Sequence, residues 1–155
     1  MMASSSTIRI SKIGMIFGRF ALGYLALTLA ACSPSAPISS VITRDGAYPS
    51  PTGVHSLNVS VDAKKVVHFE VVDRTSKTVV ASGKSGSIYQ RWFFFWESDS
   101  RLWVQSSDVG LFAVWDLTGG KASEHRIEKG DSVLRSVPPP VVSALSNTMR
   151  KRFGL

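Results

Sequence analysis

Short runs of alternating hydrophobic and polar residues occupy the central part of the chain, from about Val54 to Val137. A period of two places successive side chains on opposite faces of a β-strand. Clusters of Gly, Ser, Asp and Thr separate the runs, as is typical of turns. The pattern predicts strands at 57–61, 66–72, 78–82, 89–97, 101–105, 111–115, 121–127 and 132–137. Because the connections are too short for crossovers, we predict a mainly β, antiparallel domain over residues 54–137.

The most apolar run is Trp92–Trp96, which is hydrophobic on both faces of the predicted strand. This pattern predicts a central strand that other layers cover on both sides. A second interpretation is functional: Trp92, Trp96 and Trp103 are candidates for an exposed aromatic platform that stacks on a glycan or another small ligand. Of the two interpretations, the pattern favours the first, in which these aromatic residues are part of the hydrophobic core.

The C-terminal part, residues 138–155, has a different period. After three prolines the apolar residues recur at every fourth position, which predicts one amphipathic helix; they are Val141, Leu145, Met149 and Phe153. One interpretation is a helix that closes a face of the sheet. The other is a basic amphipathic tail, ending in the cations of residues 150–152, that lies on an anionic membrane surface or an acidic partner.

Two stretches of the central region resemble each other, with an offset of 43 residues from Asp73 to Asp116. The second copy is similar to a blade of the WD-repeat or quinoprotein-like propellers, and Trp115 and Asp116 stand where those repeats carry their dipeptide. A closed propeller needs at least about four blades, and this chain has room for two. We therefore expect two β-meander units that stack as a small sandwich or pair across a dimer, with chance similarity between meanders as the alternative.

The N-terminal residues 1–31 have the composition of a signal peptide. Arg9, Lys12 and Arg19 are accompanied by no acidic residue, and Phe20–Leu29 is an uncharged apolar run of ten residues. This run is too short to span a hydrocarbon core, which needs about 20 residues, but it suits the apolar part of an export signal helix.

Leu29, Ala30, Ala31 and Cys32 follow in that order at the end of the apolar run. This tetrapeptide resembles the lipobox of bacterial lipoproteins, with Leu29, Ala30 and Ala31 at the positions that the signal peptidase recognises. The resemblance implies that Cys32 receives a diacylglycerol, that the chain is cut before Cys32, and that fatty acids such as palmitate anchor it to a membrane. Ser33 resembles the outer-membrane class, so we expect an envelope protein on the outer membrane, facing the periplasm.

Residues 32–53 are rich in Ser, Pro and Ala, a composition that predicts a flexible tether between the lipid and the domain. Cys32 is the single cysteine of the chain, so no intrachain disulfide is available. The formal charge of +7 belongs mainly to the two ends. Three cations lie in the signal peptide and three at residues 150–152, which leaves about +1 between them. We therefore expect no nucleic-acid partner.

Candidate catalytic chemistry is sparse. His55, His68 and His125 lack the spacing of metal ligands, and no motif of a nucleophilic, metal-dependent or phosphate-binding enzyme occurs. We accordingly expect no catalytic residue, cofactor or metal. The sequence favours a non-enzymatic module that binds another envelope protein or takes part in an assembly. A glycan-binding or small-ligand module is the alternative. A hydrolase, which would require a cleft where several of Asp99, Asp108, Asp116 and the histidines converge, is the third hypothesis.

Overall fold

The computed structural model describes residues 40–155. It contains eight strands, two short 3₁₀ helices (Thr118–Gly120 and Ser132–Ser136) and two short α-helices, and the strands form two separate four-stranded sheets. In chain order the elements are β1 Gly46–Pro49, β2 His55–Val61, β3 Val66–Asp73, β4 Val79–Ser87, β5 Trp92–Ser98, β6 Arg101–Ser106, β7 Leu111–Asp116, β8 Ser123–Arg126, α1 Pro139–Ala144 and α2 Asn147–Phe153. The signal peptide, the Leu29–Cys32 motif and residues 32–39 lie outside the described residues.

Each sheet is an antiparallel meander in which neighbouring strands follow one another in sequence. Sheet 1 has the order β1-β2-β3-β4, and sheet 2 has the order β5-β6-β7-β8. The prediction of a mainly β fold made of two meander units is therefore confirmed. The two similar stretches occupy equivalent places, because Asp73 and Asp116 each end the third strand of their sheet. Each carboxylate then accepts a hydrogen bond from a backbone N–H of the following turn, at Thr75 and Thr118 respectively.

The two sheets pack face to face around one hydrophobic core. Sheet 1 contributes Leu57, Phe69 and Val71, and sheet 2 contributes Phe94 and Leu102, all of which are buried in the same cluster. Inter-sheet contacts include the Phe69 and Phe94 rings, whose centroids lie 5.2 Å apart. The two rings are tilted by 57° to each other, and this angle and centroid distance are typical of aromatic pairs.

The opposite face of sheet 2 carries a second core, which the C-terminal helices cover. Phe93, Phe95 and Trp103 lie on this side, and Phe112 contacts Phe153 of α2 at 5.3 Å between ring centroids. β5 is therefore apolar on both faces because another layer covers each of them. The prediction that both faces of Trp92–Trp96 are covered is confirmed. The predicted central position is corrected, because β5 lies at the edge of sheet 2, where Ile42 forms an isolated bridge with Phe94.

The C-terminal apolar stripe is buried as one unit, although the helix is interrupted. Val141, Leu145, Met149 and Phe153 all pack into the second core. α1 ends at Ala144, and its C-cap Leu145 has an extended backbone. The Ser146 side chain then accepts a hydrogen bond from Met149 N as the N-cap of α2. A serine at an N-cap stabilises a new helix start, so two short helices replace the single predicted one. Their apolar sides face sheet 2, which supports the interpretation of a closing layer.

The structure corrects two predictions, one about where the domain begins and one about its last strand. Ile42 pairs with Phe94 by two backbone hydrogen bonds of 2.8 and 2.9 Å, and β1 pairs with β2 from Gly46 onwards. The packed domain thus begins well before Val54, inside the segment interpreted as a flexible tether. The last predicted strand, at 132–137, is instead a 3₁₀ helix whose N-cap, Asp131, accepts a hydrogen bond from Val133 N.

Candidate functional site

The three tryptophans proposed as a ligand platform are core residues. Trp92, Trp96 and Trp103 have exposed fractions of 9%, 3% and 0%. The Trp96 indole N–H donates to the carbonyl of Tyr48 at 3.3 Å, and that of Trp103 donates to Glu97 Oε2 at 2.6 Å. The interpretation of an exposed stacking surface is therefore corrected, because these rings pack inside the two cores and present no open face.

Two of the three histidines form local pairs with an aspartate. His68 Nε2 lies 2.9 Å from Asp62 Oδ2, and His125 Nε2 lies 2.6 Å from Asp131 Oδ2. The Val66 backbone N–H and then His68 lower the pKa of Asp62, and the hydrogen bond from His125 lowers that of Asp131. Within residues 40–155 no three His, Cys, Asp or Glu side chains converge on a possible metal position. Each pair bridges its own connection and leaves no shared site.

A polar cluster joins the two sheets at the β1–β2 connection and the β5–β6 turn. Asp99 accepts three hydrogen bonds: from Ser50 Oγ at 2.6 Å, Thr52 N at 2.9 Å and Thr52 Oγ1 at 2.8 Å. Ser50 Oγ in turn accepts from His55 N, and His55 Nδ1 lies 2.7 Å from the Asp99 carbonyl oxygen. The imidazole also stacks on Trp96, with the ring centroids 6.4 Å apart.

This cluster contains serine, histidine and aspartate, but their connections differ from those of a catalytic triad. In a triad, histidine accepts the proton of the serine hydroxyl, and aspartate orients the histidine. Here the Ser50 hydroxyl donates directly to the Asp99 carboxylate, and the His55 ring bonds to a backbone carbonyl. Because a carbonyl only accepts, Nδ1 carries the hydrogen of this contact. The arrangement holds two connections together and activates no nucleophile.

The charge state of Asp99 fits this structural role. Partial burial raises the pKa of its carboxyl group, but the hydrogen bonds from Ser50 and Thr52 outweigh that effect and leave the pKa below its ordinary value. The carboxylate is therefore ionised at neutral pH and accepts charge-assisted hydrogen bonds, which are stronger than neutral ones.

The outer face of sheet 1 is a polar surface opposite the main core. Alternation along β2, β3 and β4 directs one side chain in two outward, which forms two cross-strand rows; they are Asn58, Glu70 and Ser82, and Ser60, His68 and Lys84. Sheet 2 differs, because its two faces are covered by sheet 1 and by the C-terminal helices. Within residues 40–155, no other layer covers the outer face of sheet 1.

A shallow depression of about 240 Å³ lies on this outer face. It is lined by residues of β3 and β4, namely His68, Phe69, Glu70, Ser82, Gly83 and Lys84. The register of β3 against β4 shifts between Val67 and His68, and such an irregularity redirects neighbouring side chains. Lys84 provides a positively charged donor and Glu70 a negatively charged acceptor at this depression. Such a lining suits hydrogen bonding to a polar segment of a partner.

Comparisons with known proteins add no family to these observations. Neither a protein-family model, nor a curated protein, nor a solved structure matches the chain. Among the helices of residues 40–155, none combines the length and the apolar character needed to cross a bilayer. Cys32 and the residues before it lie outside the described part.

The sequence identified the outward residues only indirectly. It named Asp99 and the histidines as residues that a hydrolase could bring together, but it did not predict the bonds from Ser50 and Thr52 to Asp99. The alternation in Leu57–Val61 indicates one polar face, and that face is Asn58 and Ser60 in the structure. Ser50 and Asp99 are 49 positions apart in the sequence, so no local spacing predicts their contact.

Proposed function

We propose that the protein is a lipid-anchored envelope protein whose small β domain binds another envelope protein. The observation that carries this proposal is the order Leu29, Ala30, Ala31, Cys32 at the end of an uncharged apolar run. Acylation by two or three chains gives stable membrane attachment, whereas one chain binds reversibly. Ser33 favours placement on the outer membrane, on its periplasmic side.

The start of the packed domain at Ile42 limits the distance between the proposed anchor at Cys32 and the hydrophobic core. Nine residues separate Cys32 from Ile42, the first buried residue of the described domain. The ten residue steps from Cys32 to Ile42 cover at most about 3.3–3.6 Å each in a fully extended chain, so the Cys32 Cα lies within about 36 Å of Ile42. The domain would therefore remain about one domain diameter from the membrane, on a shorter tether than residues 32–53 implied.

Metabolic labelling with a radioactive fatty acid tests the anchor. The parent chain should incorporate label and migrate as the processed form, whereas Cys32→Ser should incorporate none and accumulate as precursor. Ser33→Ala is the matched control, since it alters the neighbouring residue and leaves the thiol. A Cys32→Ser chain that is still labelled and still processed would contradict the proposal.

The outer face of sheet 1 is the surface that we assign to the protein partner. This face carries rows of polar side chains that can form hydrogen bonds with a partner. The tryptophans that a glycan platform would need are buried, and the Ser50–Asp99–His55 cluster links two connections of the fold. These contacts favour protein binding over the glycan-binding and hydrolase alternatives.

Site-specific photo-crosslinking in whole cells tests that surface. A crosslinker in place of Asn58, on the outer face, should give a discrete adduct with one envelope protein, and one in place of Lys121, on the β7–β8 connection, should not. Charge reversal at Lys84 in the Asn58-labelled chain should reduce the adduct. Adducts of equal yield from both positions would contradict the assignment.

A further inference from the structure

Three connections meet at one end of the β sandwich. We call this surface the loop end; it consists of residues 62–65, 88–91 and 107–110. Ile88 N donates to the carbonyl of Lys65 at 3.0 Å, and Ser107 N donates to the carbonyl of Arg91 at 2.8 Å. Residues 88–91 lead from sheet 1 to sheet 2, and these bonds join them to the β2–β3 connection on one side and to the β6–β7 connection on the other. The loop end is therefore one continuous surface.

Exposed apolar side chains are concentrated at the loop end. Within residues 40–155, six large hydrophobic side chains are exposed, and four of them lie on or directly beside these connections; the four are Val61, Ile88, Tyr89 and Val109. Tyr89 and Val109 are the most open of the six, at 77% and 62%. Val54 and Val79, the other two, lie at the opposite end, where β2 and β4 begin.

The same surface carries positive charge. Lys64, Lys65 and Arg91 form no ion pair with any of residues 40–155. The guanidinium of Arg152 approaches the third connection, because it lies 3.8 Å from the position that a Cβ on Gly110 would occupy. The basic end of α2 therefore adds to the cations of the loop end, instead of forming a separate tail.

The two acidic residues of the loop end are engaged in structural bonds. Asp62 accepts from Val66 N and pairs with His68, and Asp108 accepts from Ser87 N at 2.9 Å. Both carboxylates keep their charge, so the four cations Lys64, Lys65, Arg91 and Arg152 leave the loop end with a formal charge of about +2.

We propose that the loop end binds directly to the surface of a membrane that contains anionic phospholipids. Tyrosine is enriched at membrane interfaces, and each Lys or Arg close to an anionic surface strengthens binding. The apolar side chains project from separate connections with cations among them, which suits headgroups better than a packed protein interface, where a large contiguous area must be buried. Tyr89 and Val109 enter the headgroup region, and Lys64 and Arg91 contact phosphate.

This contact is distinct from the covalent anchor and does not depend on acylation. A surface contact of this kind would hold the domain in one orientation on the bilayer, whereas a lipid on Cys32 by itself would leave it free to rotate on its tether. The outer face of sheet 1, which lies to the side of the loop end, would then stay accessible to a protein partner.

A fluorescent label at each end of the domain tests the proposal. In the full chain, Cys32→Ser removes the single native cysteine, and Val109→Cys then accepts an environment-sensitive fluorophore. Val79→Cys is the matched control, because it is an exposed valine at the opposite end. Any vesicle attachment through the N-terminal residues is common to both chains. Vesicles contain phosphatidylcholine alone or an equal mixture with phosphatidylglycerol.

On the mixed vesicles we expect a blue shift and quenching by brominated lipid for the label at 109, and neither for the label at 79. Adding Lys64→Gln and Arg91→Gln should reduce the ratio of docked to undocked loop ends roughly thirty-fold. High salt should have the same effect. A label at 109 that remains in water on the mixed vesicles would overturn the proposal, as would equal shifts at both ends. A shift of equal size on phosphatidylcholine alone would overturn its anionic specificity.

Discussion

Replacing Asp99 by Asn tests whether the Ser50–Asp99–His55 cluster is a structural cross-link. The substitution keeps the size of the side chain and removes the charge that three hydrogen bonds share. Charge-assisted bonds contribute about 1.5–3 kcal/mol and neutral ones about 0.5–1.5. We assign about 1 kcal/mol to the loss at Ser50, which is buried, and about 0.5 kcal/mol to each bond from exposed Thr52. The free energy of unfolding should fall by about 2 kcal/mol.

Urea denaturation followed by tryptophan fluorescence measures this change, because Trp96 stacks on His55 and lies in the main core. The pKa of Asp99 is lowered in the folded state, so its contribution is present above the unfolded pKa of about 3.9. That contribution is lost as the pH falls through the folded pKa. The difference between the parent and Asp99→Asn should therefore be full at pH 7 and shrink below about pH 4.

Asp45→Asn is the matched control, since Asp45 is an exposed aspartate outside the cluster. It should change the free energy of unfolding by no more than about 0.5 kcal/mol. Ser50→Ala combined with Asp99→Asn should cost less than the sum of the two single changes, because they break the same bond. A loss for Asp99→Asn equal to that of Asp45→Asn, or one independent of pH, would refute the cross-link.

Two further predictions concern packing. Leu145→Ala should lower the free energy of unfolding by about 2–5 kcal/mol, because Leu145 is buried between the helices and sheet 2. The control Lys151→Ala should change the free energy of unfolding little. Urea midpoints measure both variants, and equal midpoints would contradict the closing-layer interpretation. Gly83→Ala should cost about 1–3 kcal/mol, since its Cβ would lie 2.8 Å from Cε1 of the buried Phe69 ring. Ser82→Ala on the outer face is its control, and a Gly83→Ala chain as stable as this control would contradict the close approach.

The strand pattern was predictable because its cause is local. Alternation and turn residues define seven of the eight predicted strands, and the doubly apolar run Trp92–Trp96 indicates a layer on each side. The offset between Asp73 and Asp116 reflects two meanders of the same topology. The spacing of the C-terminal stripe likewise identified the residues that cover sheet 2.

The differences arise where distant contacts or caps decide the structure. Residues 40–53 have the composition of a tether, but Ile42 pairs with Phe94, β1 pairs with β2, and Ser50 bonds to Asp99. These contacts make the segment part of the fold. Caps at Asp131 and Ser146 redirect the backbone at 132–137 and within the predicted helix. The outer-face depression depends on how β3 and β4 align, which alternation alone does not specify.

The most direct test of the account is the intact mass of the protein purified from the cell envelope. The proposed function predicts a mature chain that begins at Cys32 and carries a diacylglycerol on the thiol, with or without a further acyl chain on the new amino group. A chain that begins at another residue, or one that begins at Cys32 with a free thiol, would contradict it.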